Sequence, residues 1–120
     1  MTRSWLISAI ILAVAALPAR AHHTWFWNKE QRVELTGVVE KVLLGNPHGV
    51  LKMTIGDATW TIEIGSPKRN GAAGLHDATL PVGCPVTVVG WPALEPDVKR
   101  AKALAVRCDD RLFDLYPGEW

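Results

Sequence analysis

The sequence has no excess of charge of either sign. Its 120 residues include 13 Lys and Arg against 12 Asp and Glu. If an amino-terminal signal that contains Arg3 and Arg20 is removed, 11 basic and 12 acidic residues remain, a formal charge of −1. A basic surface is the first requirement for binding nucleic acid, so we exclude nucleic acid as a partner.

Catalytic signatures are also missing. Ser66 is the only serine after residue 21, and neither a nucleophile elbow nor a metalloprotease motif occurs. The adjacent acids Asp109 and Asp110 fit a solvated turn better than a general acid and base. The sequence therefore favours a noncatalytic protein.

Cysteine is scarce, with Cys84 and Cys108 only, and no C-x-x-C spacing is present to activate a thiol. A redox-active pair is thus disfavoured. A structural disulfide and two buried free thiols remain the alternatives, and the strand register decides between them.

What is present begins with a secretory signal over residues 1–21. Arg3 is followed by an apolar run from Trp5 to Leu17, and Ala19-Arg20-Ala21 has the small-x-small pattern of a cleavage site. The run of about 13 residues is shorter than the ~20 that cross a bilayer. We predict a periplasmic or secreted protein with no transmembrane segment after cleavage. An uncleaved anchor is the alternative.

The remaining residues 22–120 are predicted to form a single domain behind an amino-terminal aromatic arm. The arm contains Trp25 and Trp27, and it either packs on the domain or contacts a ligand or partner. A first strand over 33–44 changes its alternation near Gly37, which predicts a bulge or a sharp bend there.

A tight hairpin is predicted over residues 50–64, where Gly56-Asp57 provides the two-residue loop. This loop places Met53 opposite Trp60 and Leu51 opposite Ile62. It leaves Glu63 on the outer face with other polar residues.

Ser66-Pro67 predicts the start of a short helix that ends at Gly71 or Gly74. Strands over 84–91 and 99–108 follow. A turn centred on Pro96 would place Val86 opposite Val106 and Cys84 opposite Cys108. Opposed residues lie close enough for a disulfide, so this register predicts a Cys84–Cys108 bond.

This order of elements predicts an all-β fold with one short helix, a five-stranded OB-like Greek-key barrel. The chain also resembles a family of small exported bacterial proteins, domain of unknown function 6152. The motifs that carry the resemblance extend over nearly the whole mature chain and are Ala21-His22-His23-Thr24-Trp25, Leu35-Thr36-Gly37-Val38-Val39, Asn46-Pro47-His48, Trp60-x-x-Glu63-x-Gly65-Ser66-Pro67 and Val86-x-Val88-x-Gly90-x-Pro92-Ala93. The resemblance implies no activity.

Histidines provide the sharpest functional hypothesis. Cleavage after Ala21 would leave His22 with a free α-amino group beside its imidazole, and a second imidazole would complete a three-nitrogen site suited to Cu(II). His48 in the turn after the first strand is the preferred partner, and His23 is the alternative. The histidines could instead be only a polar start to the mature chain and a turn residue.

The sequence therefore predicts a periplasmic noncatalytic binding or accessory module, with copper as its candidate cofactor. The alternative is an interaction module that docks a peptide, a sugar or a membrane-protein partner. Its predicted contacts are Trp25, Trp27 and Trp91 on the arm and the barrel face.

Overall fold

The computed structural model describes residues 27–76 and 78–120. Its elements in chain order are β1 (Val33–Leu43), β2 (Val50–Ile55), β3 (Ala58–Glu63), α1 (Pro67–Ala72), β4 (Pro85–Pro92), β5 (Arg100–Cys108) and β6 (Arg111–Asp114).

The strands form one sheet in the order β3-β2-β1-β4-β5-β6, and a parallel pairing of β3 with β5 closes the first five into a barrel. The predicted all-β class with a closed five-stranded barrel and one short helix is confirmed, and the mixed barrel is compatible with an OB-like Greek key. β6, which the sequence pattern did not predict, pairs with the end of β5.

The interior of the barrel is mainly aliphatic. Leu51, Met53 and Ile62 are fully buried where β2 faces β3. The predicted hairpin register is confirmed, since Leu51 pairs with Ile62 and Met53 with Trp60. Other buried members of the core are Val39, Ile64, Leu75, Val86, Val88, Val106, Phe113 and Leu115.

The helix begins as predicted. The Ser66 hydroxyl accepts a hydrogen bond from the Arg69 amide at 3.3 Å, and Pro67 occupies the first turn. This cap satisfies one of the amides that a helix start leaves without a partner. The helix places Asn70 in the core, where its side-chain amide donates to the Gly65 carbonyl at 2.7 Å.

The bulge in β1 lies further along than predicted. The register with β2 shifts between Val39 and Lys41, not at Gly37. Gly37 has a different role, because a Cβ at this position would overlap the backbone carbonyl of Thr54 on β2. The glycine therefore permits close approach of the two strands rather than the bend.

Replacing Gly37 with alanine should consequently lower the free energy of unfolding by about 2 kcal/mol, the usual cost of forcing an extra carbon into packed structure. Urea unfolding followed by tryptophan fluorescence measures this. Gly71→Ala is the matched control, because a Cβ there meets open space on the exposed side of α1. Equal stability of the Gly37 and Gly71 variants would contradict the close-approach explanation.

The predicted register of β4 with β5 is wrong, although the predicted disulfide is present. Val86 pairs with Cys108 and Val88 with Val106, two residues from the expected partners. A slip of two keeps every side chain on its face, so alternation alone cannot detect it. Cys84 then lies diagonally from Cys108, with a Cα–Cα distance of 6.2 Å, and the bond forms across the strand ends.

Candidate functional site: a histidine and a buried carboxylate at the barrel seam

His48 lies in the connection between β1 and β2, beside the end of β3. The Gly49 amide donates to the Gly65 carbonyl at 2.9 Å, and the Ile64 amide donates to the Gly49 carbonyl at 3.0 Å. These two backbone bonds hold the connection against the end of the hairpin. The imidazole of His48 is thereby placed next to Glu63, with Nε2 2.5 Å from Oε2 of the carboxylate.

Glu63 is buried, with 5% of its surface exposed, which corrects the prediction that it lies on the outer face. Arg100 at the start of β5 donates to Oε1 of Glu63 from Nε at 3.3 Å and from Nη2 at 2.9 Å. Burial of a carboxylate is costly unless charged or hydrogen-bonding groups compensate it. Here a guanidinium contacts one oxygen and an imidazole the other.

The parallel pairing of β3 with β5, which closes the barrel and which we call the seam, creates this arrangement. β3 pairs in parallel with the first residues of β5, Thr61 with Arg100 and Glu63 with Lys102. The pairing brings the Arg100 side chain alongside the last residue of β3. The contact between Glu63 and Arg100 joins residues that are 37 positions apart, so no local sequence pattern indicates it. Glu63 and His48 nevertheless both belong to motifs that carry the family resemblance.

Trp27 covers the other side of Arg100. The centroid of its indole ring is 3.7 Å from the guanidinium carbon, a close cation–π contact. Trp27, Arg100, Glu63 and His48 therefore form one continuous chain of contacts, which we call the seam cluster.

The amino-terminal arm is docked by its backbone. The Leu94 amide donates to the Trp27 carbonyl at 2.7 Å, the Lys29 amide donates to the Pro92 carbonyl at 2.9 Å, and Asn28 forms an isolated bridge with Ala93. The arm thus runs antiparallel to the chain just after β4. The predicted site residues His22, His23 and Trp25 lie outside the described residues.

Trp91, the third predicted contact residue, is half-buried and lies near a second group of cations and rings. Lys102 Nζ is 5.3 Å from the centroid of Trp91 and 4.4 Å from that of Tyr116, and the Arg69 guanidinium carbon is 4.0 Å from the Tyr116 centroid. Burial lowers the pKa of Lys102 and raises the pKa of Tyr116. Both aromatic contact candidates in the described chain, Trp27 and Trp91, thus pack beside cations of their own barrel.

A different group of potential ligand atoms lies at the opposite end of β5. Sγ of Cys84, Sγ of Cys108 and a carboxylate oxygen of Asp109 lie within 4.8 Å of one another. The two sulfurs are bonded to each other. Because a metal binds thiolates, this group offers no sulfur ligands in the oxidised protein.

These features define a small all-β barrel with a buried ion-paired seam and a docked amino-terminal arm. The sequence profile of a family of unknown function (DUF6152) matches residues 9–101, and the chain belongs to that family. No curated protein matches the chain significantly. Among the residues that the structure describes, no helix is both long and apolar enough to cross a membrane.

Proposed function

We propose that this protein is an exported, noncatalytic module that binds Cu(II) with His48 and the mature amino terminus. The observation that carries the proposal is the contact between Nε2 of His48 and Oε2 of buried Glu63. Metal-ligating histidines commonly donate their second ring N–H to a carboxylate, which orients the ring and raises its basicity. A proton on Nε2 leaves the lone pair of the imidazole on Nδ1, the atom that would bind copper.

The docked arm supports the second half of the site. Trp27 contacts Arg100, which contacts the same carboxylate as His48. An extended chain spans at most ~3.6 Å per residue, so the four residues from Trp27 back to His23 can span at most about 14 Å and the five back to His22 at most about 18 Å. The proposal requires His48 to fall within this reach of Trp27.

The ligand set explains the choice of metal. The α-amino nitrogen and imidazole of His22, together with His48, provide three nitrogen donors, and such sites favour Cu(II). The α-amino group has an ordinary pKa of ~7.7–8.0, so copper can displace its proton near neutral pH.

The decisive experiment compares two amino termini. Residues 22–120 are prepared with His22 as the first residue and, separately, with one glycine ahead of it, and Cu(II) is titrated into each by calorimetry. We expect the added glycine to weaken Cu(II) binding about 10- to 100-fold. This is the loss that follows from mutating a residue that supports a metal ligand, and removal of a ligand should cost no less. His48→Gln and His23→Gln in the unextended protein identify the second imidazole.

Equal Cu(II) affinity of the two amino termini would contradict the chelate, as would absence of binding in both. The exported location is tested separately, by measuring the mass of the protein recovered from the periplasm. The interaction alternative through Trp25, Trp27 and Trp91 stays a prediction.

A further inference from the structure

The outer face of β1, β4, β5 and β6 carries a groove that is separate from the seam cluster. The β-bulge between Val89 and Gly90 divides this face. On one side of the bulge, the arm and the chain after β6 cover Arg100 and Lys102 through Trp27 and Tyr116. The groove lies on the other side.

Strand pairing explains its shape. Two rows of outward side chains cross the four strands, and in the first row the two middle strands contribute the smaller side chains. The rows are Glu34, Val89, Ala105 and Asp114, and next to them Thr36, Thr87, Arg107 and Leu112. Val89 and Ala105 form a floor that is only 7% and 1% exposed.

Trp120 forms one wall of the groove. Its indole N–H donates to Oδ1 of Asp114 at 2.9 Å, which fixes the ring beside the floor while 41% of the residue stays exposed. The volume of the groove, about 370 Å³, is within the range of small-molecule sites.

The charges in the groove are distributed unevenly. Glu34 at the far wall is paired with Arg32 at 3.1 Å. Arg107 lines the groove, is exposed, and forms no ion pair within residues 27–76 and 78–120. A guanidinium binds a carboxylate in a planar, two-bond arrangement, and the adjacent indole offers a flat apolar surface.

We propose that this groove binds a small carboxylate carried on a six-membered ring, with Arg107 on the carboxylate and Trp120 against the ring. The shared chemistry occurs in aromatic acids and in uronic acid sugars. The inference is independent of copper and is tested without metal.

The test is a two-dimensional NMR titration of metal-free residues 22–120 that follows the Trp120 indole N–H. Benzoate and glucuronate are the two probes, and benzyl alcohol and glucose are their uncharged controls. We expect binding by at least one acid with a Kd on the order of 1 mM, much weaker binding of its uncharged control, and a loss of about tenfold in Arg107→Gln. The probe that binds identifies the source of the carboxylate.

Arg111→Gln is the matched control, because this arginine is also exposed at the end of the sheet and does not line the groove. Three results would overturn the proposal: no shift at Trp120 with either acid, equal binding of an acid and its uncharged control, or undiminished binding by Arg107→Gln. An unchanged Trp120 indole resonance in the Arg107→Gln protein before ligand is added shows that the groove wall is intact.

Discussion

Replacing Glu63 with glutamine should weaken Cu(II) binding by residues 22–120 about 10- to 100-fold, as removal of a supporting carboxylate does at other metal sites. Glutamine keeps the shape of the side chain and removes its charge, so the His48 ring loses the anion beside Nε2. Arg100 simultaneously loses its carboxylate partner. Calorimetric titration at neutral pH measures the change in affinity.

Loss of the buried charge also affects folding, so stability must be measured alongside affinity. Breaking a buried pair by removing one partner costs about 3–5 kcal/mol; Arg100 is 35% exposed, so we expect the lower end. Glu95→Gln changes an exposed acid in the loop after β4 and serves as the control. A folded Glu63 variant with unchanged copper affinity would show that His48 does not bind metal through this arrangement.

Removing the disulfide should also lower the stability of the domain strongly. Cys84→Ala with Cys108→Ala opens a covalent loop with a sequence separation of 24. In the chain-entropy model this costs about 3 kcal/mol, which corresponds to a decrease in Tm on the order of 15 °C for a domain of this size. Calorimetric melting of both proteins measures the difference.

Reduction of the unaltered protein provides an internal control. A dithiol reductant should lower its Tm toward that of the double alanine variant and leave the variant itself unchanged. The explanation would be contradicted if the two proteins melted together under oxidising conditions. It would also fail if reductant shifted both equally.

The parts of the fold that short-range chemistry determines were predictable. The Gly56-Asp57 loop leaves one register for β2 and β3, and that register is present. The cap at Ser66 likewise depends on residues within one turn. The β4–β5 register was not predictable, because the connection after Pro92 is centred between Pro96 and Asp97 and the bulge between Val89 and Gly90 then adds a further residue of offset.

The candidate site was predictable only in part. His48 stands out in a proline turn, but Glu63 lies in the same strand phase as the polar residue Thr61, and this alternation predicts the outer face. Its burial depends on Arg100, which is 37 residues later and arrives through the parallel seam. No local pattern indicates such a contact. The sequence marks Glu63 only as a member of a motif that carries the family resemblance.

The parallel pairing of β3 with β5 also has a kinetic consequence. Contacts between distant residues form late in folding, because a long loop must close before they contribute. The β2–β3 hairpin can form locally, but Arg100 contacts the Glu63 carboxylate only after β5 has paired with β3. Copper bound to His48 as well as to His22 would hold the closed barrel more tightly than the unfolded chain, in which only the amino-terminal chelate of His22 persists, so occupancy would raise resistance to unfolding by mass action.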